Sequence, residues 1–83
     1  MLDREIDIAI KLAQAINLLG SQPKASPDLK IFLLISEVAP YELSVDDIER
    51  VTGLNRKQVG DALNILRAWG WVTEKGGQLS LSR

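Results

Sequence analysis

The 83-residue sequence predicts a mainly α-helical domain that closes on a small β-hairpin. Three observations carry this. Residues 2–19 show helical periodicity with no Pro or Gly. Ser44 to Trp71 reads as a short helix, a turn carrying a glycine and a second helix. Trp71 to Ser82 then alternates about Gly76-Gly77, as strands do about a tight turn.

In the first helix, at about 100° per residue, Leu2, Ile6, Ile8, Ala9, Ile10, Leu12, Ala13, Ile16 and Leu19 cover an arc of roughly 200°. Glu5 falls inside that arc and Leu18 outside it. A surface helix needs only about 100° of apolar face. The excess predicts two covered sides, one against its own domain and one against a second copy, with Leu2, Ile6, Ile10, Leu12, Ala13 and Ile16 as the dimer surface. The alternative is a helix sunk in the core of a monomer. A domain this small buries only about 60–65% of its unfolded surface, so a partner subunit is an expected source of stability.

Ser21 to Ala25 is a polar connector containing Pro23. Ser26-Pro27-Asp28 starts the next helix, as N-cap, first-turn proline and dipole-complementing acid. Leu29, Ile31, Phe32, Leu33, Leu34, Ile35 and Val38 make that helix largely buried, and it stops before Pro40. Tyr41-Glu42-Leu43 reads as either a short third strand or a loop. Ser44 caps the next helix, with Asp47 forming a capping box in place of the usual Glu; Val45, Ile48 and Val51 face inward. Gly53 suits a left-handed helix stop, and Leu54 fills the gap between the two helices. Asn55 caps the last helix, which runs to Ala68 or Trp69. Val59, Ala62, Leu63, Leu66 and Trp69 share its inner side; Lys57, Gly60, Asp61 and Asn64 lie opposite, with Arg56 and Gln58 at the margins. Around Lys75-Gly76-Gly77, alternation turns Val72, Leu79 and Leu81 toward the body.

The composition excludes several functions. There is neither cysteine nor histidine, which removes disulfides, thiolate zinc sites and the commonest general base. No nucleophile–base pair is evident, so the chain is expected not to be an enzyme and to need no metal or cofactor. Asp3, Arg4, Glu5, Asp7 and Lys11 interrupt the first apolar stretch, which argues against a membrane span or signal core and for a cytoplasmic protein. The net charge of −1 is unevenly spread. Residues 1–49 hold four basic and nine acidic side chains, residues 50–83 six basic and two acidic, so the positive half carries the last helix and the hairpin.

From Leu43 to Leu81 the chain resembles the winged helix-turn-helix of small prokaryotic transcriptional regulators of the MarR and ArsR type. The residues that carry the likeness are Ile48, Val51, Gly53, Leu54, Asn55, Val59, Leu63 and Leu66, followed by Trp69-Gly70-Trp71-Val72. The resemblance implies one domain over 1–83, with a dimerising helix over 1–20 and a winged helix-turn-helix over 26–83. It implies a homodimer that binds double-stranded DNA in a sequence-specific way, as a repressor of transcription, with no small-molecule effector evident. The recognition helix would enter the major groove. Arg56 and Lys57 would reach guanine or phosphate, Gln58 adenine, and Asn55 or Asn64 either; Gly60 would leave the backbone bare toward the groove. Lys75 would contact DNA from the wing, and Arg50, Arg67 and Ser44 the phosphates. Arg56→Ala and Lys57→Ala are each expected to weaken binding without loss of stability. Trp69 and Trp71 read as core and wing anchors. Asp61 departs from the pattern: it accepts from a cytosine amino group, pairs with Lys57, or counts against DNA. The negative total charge and Asp61 leave open an alternative, a winged-helix protein–protein module or a small inhibitor of a nucleic-acid-processing complex.

Overall fold

The computed structural model describes residues 2–82, without the side chain of Leu2, so the place expected for Leu2 at a dimer surface lies outside that description. Four helices and a three-stranded antiparallel sheet follow in the order α1 (Leu2–Gly20), α2 (Pro27–Val38), β1 (Leu43–Ser44), α3 (Val45–Thr52), α4 (Arg56–Ala68), β2 (Val72–Lys75) and β3 (Gln78–Leu81). No helix among the described residues is long and apolar enough to cross a membrane.

Short-range hydrogen bonds set the helix starts. Ser26 Oγ accepts from the Leu29 amide, with Pro27 in the first turn of α2. Ser44 and Asp47 form a reciprocal box at the start of α3, with bonds of 3.1 and 3.2 Å. Asn55 and Gln58 form another at α4, the Gln58 backbone N–H donating to Asn55 Oδ1 at 2.8 Å and the Asn55 backbone N–H to Gln58 Oε1 at 3.1 Å. Each cap satisfies donors that a helix start otherwise leaves open. Gly53 ends α3 at φ 75°, a conformation costly for residues with a Cβ.

α2 is the central pillar. Its Ile31, Leu34, Ile35 and Val38 are fully buried, and it touches α1, α3, α4 and β3. Leu43, Ile48, Val59, Ala62, Leu63, Leu66, Val72 and Leu79 extend the core, with Val45, Val51, Leu54 and Leu81 packed partly buried against it. Leu29 is an exception to the buried run expected in α2 and stays exposed in its first turn.

α1 sits on this core by a narrower face than its periodicity suggests. Ala15, just beyond the expected arc, is fully buried, and Leu12 and Leu19 pack partly buried beside it. Leu12 therefore belongs to the side turned to its own domain. A small residue at the point of closest approach lets two helices draw together. At the other end of α1, the Tyr41 hydroxyl donates to Asp7 at 2.7 Å and the Arg4 guanidinium lies over the Tyr41 ring, 5.4 Å from its centre. The bond to Asp7, then burial and the charge of Asp7, hold the Tyr41 phenol above its ordinary pKa, with Arg4 opposing.

The strand left open at Tyr41–Leu43 forms over Leu43–Ser44, sharing only Leu43 with the expected piece, and pairs with β3. β3 is central, between β1 and β2. Lys75 pairs with Gln78, so the turn is the two glycines alone, at φ 60° and 79°. Two positive φ values match the twist of paired strands.

Trp69 departs from the inner position its spacing suggests and is 56% exposed. It is the C-cap of α4, just before the chain turns at Gly70. Its ring meets Trp71 edge-on at 5.0 Å, and Trp71 leans on Phe32 at 5.1 Å. Both tryptophans form a surface cluster over the end of α4, outside the buried core.

Burial works to raise the Asp47 pKa, but hydrogen bonding with Ser44 and the charge of Arg50 outweigh it and hold the carboxyl below its ordinary value. A depressed folded pKa contributes stability that is present above the unfolded value near about 4 and is lost as pH falls through the folded one. Asp47→Asn should therefore lower stability at pH 7 by no more than about 1 kcal/mol, since the group is partly solvated. In urea denaturation the deficit should shrink below about pH 4; a deficit independent of pH would refute this account.

Candidate nucleic-acid interface

Packing of one edge of α4 decides what its other edge offers. Val59, Ala62, Leu63 and Leu66 are buried against the body, so Asn55, Arg56, Lys57, Gln58, Gly60, Asp61, Asn64 and Arg67 are all exposed. Each of the α4 residues expected at an interface is thus solvent-facing. Lys75 is exposed at the hairpin tip, and Ser44 is half-buried in its cap.

Their availability differs. Lys57 and Lys75 have no carboxylate within ion-pair distance among the described residues. Arg56, by contrast, folds back onto α3: it pairs with Asp46 and lies 2.8 Å from Glu49 Oε2. That Glu49 oxygen is buried and accepts no hydrogen bond in good geometry, so the Arg56 charge is its main compensation. Arg67 pairs with Glu74 of β2 and donates to Asn64 Oδ1 at 2.8 Å. Arg50 pairs with Asp47 at 2.6 Å. Asn55, Gln58 and Ser44 already spend side-chain groups in caps. Asp61 forms no ion pair with Lys57 among the described residues, which removes one of its three expected roles in the free protein.

The acids Asp46, Glu49 and Glu74 are the site residues that periodicity alone does not select. For Glu74 a signal exists: it stands two positions after Val72, on the same face of β2, and so points to the body where Arg67 ends α4. For Asp46 and Glu49 none does, because their pairing depends on how α3 and α4 cross.

A separate cleft lies between the first turns of α1, the α2–β1 connection and β3, lined among others by Arg4, Tyr41, Gln78 and Ser80. Among the described residues no cluster of three or more His, Cys, Asp or Glu could hold a metal ion.

No protein-family model matches the chain, and no curated protein or solved structure is significantly similar to it.

The pairing pattern alters the expectation that Arg56 and Lys57 are equally dispensable to the fold. Arg56→Ala strips Glu49 of its counter-charge and should cost about 0.5–1 kcal/mol, the range of a largely exposed pair. Lys57→Ala should stay within about 0.5 kcal/mol of the parent. Chemical denaturation of both variants decides it, and equal stabilities would mean the Arg56 bridge contributes nothing.

Proposed function

We propose that this protein binds double-stranded DNA sequence-specifically as a homodimer and acts as a small transcriptional regulator, in the manner of the winged helix-turn-helix repressors it resembles. α3 and α4 would be the helix-turn-helix and β2–β3 the wing.

One observation carries the reading furthest. Gly60 lies in the interior of α4, on the exposed face between Lys57 and Asn64. A Cβ there would meet nothing within 4 Å, and its φ is not positive. Glycine in a helix interior costs about 0.8–1 kcal/mol relative to alanine, and nothing within the fold repays it. A surface lying directly on the helix would, since a bare backbone allows the closest approach. The major groove is such a surface: it admits a helix and presents a distinct donor and acceptor pattern for each base pair. Lys57 and Lys75, the cations of helix and hairpin without an ion pair among the described residues, would meet phosphates at either side of it.

Two lysines per copy give weak attachment, which supports a dimer reading two half-sites about 34 Å apart. α1 supplies a surface for it, because Ile6, Ile10 and Ile16 remain 51–56% exposed. The intramolecular pairing of Arg56 and Arg67, with the exposed Asp61, favours the second reading, a protein-binding module.

Fluorescence anisotropy with genomic duplex fragments at about 50 and 200 mM salt separates the two. DNA binding should weaken by at least tenfold over that range. Undetectable binding at low salt leaves the protein-binding reading. Within the DNA reading, Gly60→Ala should raise stability by about 0.5–1 kcal/mol, while Gly60→Gln keeps the fold and weakens binding by about tenfold or more, a loss of roughly 1.4 kcal/mol. Unchanged DNA affinity in Gly60→Gln would place the contact face elsewhere.

A further inference from the structure

We infer that α1 pairs with α1 of a second copy in antiparallel orientation, about a twofold axis level with Lys11. The inference rests on the homodimer proposed above and adds its geometry. On the side of α1 turned away from its own core, Ile6, Ala9, Ala13, Ile16 and Gly20 are exposed and recur at steps of three, four, three and four. That is the spacing of a two-helix seam.

The order of sizes is symmetric about residue 11. In the antiparallel pair Ile6 faces Ile16 of the other copy and Ala9 faces Ala13, so two close central layers are flanked by two bulky ones. Small central residues favour the shorter end of helix–helix separations. Exposed Ile10, beside the seam, then meets its own counterpart across the axis.

Charge selects this orientation over the parallel one. Asp3, Arg4, Glu5 and Asp7 lie in the first two turns, whereas no charged residue follows Lys11 in α1. A parallel pair would stack two acidic ends on each other and set Ile10 beside Glu5. The antiparallel pair sets each acidic end against an uncharged one, places Asp3 near Asn17, and opposes the helix dipoles.

The chain has no cysteine, so introduced thiols report the arrangement cleanly. Ile10→Cys should crosslink to itself under mild oxidation or with a short thiol-reactive linker. Ile6→Cys and Ile16→Cys should crosslink only when the two variants are mixed and allowed to exchange. Alone, each lies about 15 Å out of register with its twin. Lys24→Cys, in the exposed α1–α2 connector, sets the rate of chance encounters. Crosslinking of Ile6→Cys or Ile16→Cys alone above that rate overturns the orientation, as does absence of the mixed product. Should Ile10→Cys lose its helical circular dichroism, the mixed pair decides. Sedimentation of the unsubstituted chain should give a dimer, which Ile6→Asp converts to monomers; a monomeric parent overturns the pairing. All these measurements are made without DNA, so a failed DNA titration with intact crosslinks removes the functional reading and leaves the dimer standing.

Discussion

The seating of α4 on α2 is the constraint from which the remaining features follow. Val59, Ala62, Leu63 and Leu66 occupy one edge of α4, against a pillar whose Ile31, Leu34, Ile35 and Val38 have no exposure at all. Since a helix turns about 100° per residue, sealing those four positions fixes the direction of every other side chain on it. The hairpin joins the same core through Val72 and Leu79. Helix and hairpin are therefore held by one set of apolar contacts, so the distance between their polar surfaces is a property of the core and not of a flexible loop.

Electrostatics is arranged less simply than the linear charge distribution suggests. The acidic half of the chain includes the first turns of α3, and α3 lies against α4. Asp46 and Glu49 consequently reach across to Arg56, and a carboxylate of the hairpin reaches Arg67. The separation of charge along the sequence is thus partly undone in space. The Arg56–Asp46 pair is largely solvated, with side chains 68% and 77% exposed, and pairs of that kind contribute about 1 kcal/mol or less. The contact of Arg56 with the buried oxygen of Glu49 is the less solvated of its two pairs.

Local chemistry made most of the fold legible. Ser26-Pro27, Ser44 with Asp47, and Asn55 each mark a helix start by local capping, and Gly53 and Gly76-Gly77 mark stops and turns by backbone conformation; the reciprocal part of Gln58 in the Asn55 cap is seen only in the structure. The outward set on α4 follows from its inward one. What escaped reading depends on relations between elements. Ala15 is buried because α1 rolls toward α2 by more than its apolar arc indicates. Trp69 stays outside because the chain turns away at the helix end and sets one indole edge-on to the next. The Arg56 bridge spans ten residues and requires the crossing of α3 and α4, which no periodicity encodes.

β2 lies at the margin of the sheet. Its outer backbone groups are unpaired, and such a margin can recruit strands from other molecules into fibres. β2 is only four residues long, and Thr73, Glu74 and Lys75 are exposed along it. A lysine and a short run are among the devices that discourage such recruitment. The lysine that closes the hairpin at the Gly76-Gly77 turn thus also serves as a guard on the open margin of the sheet.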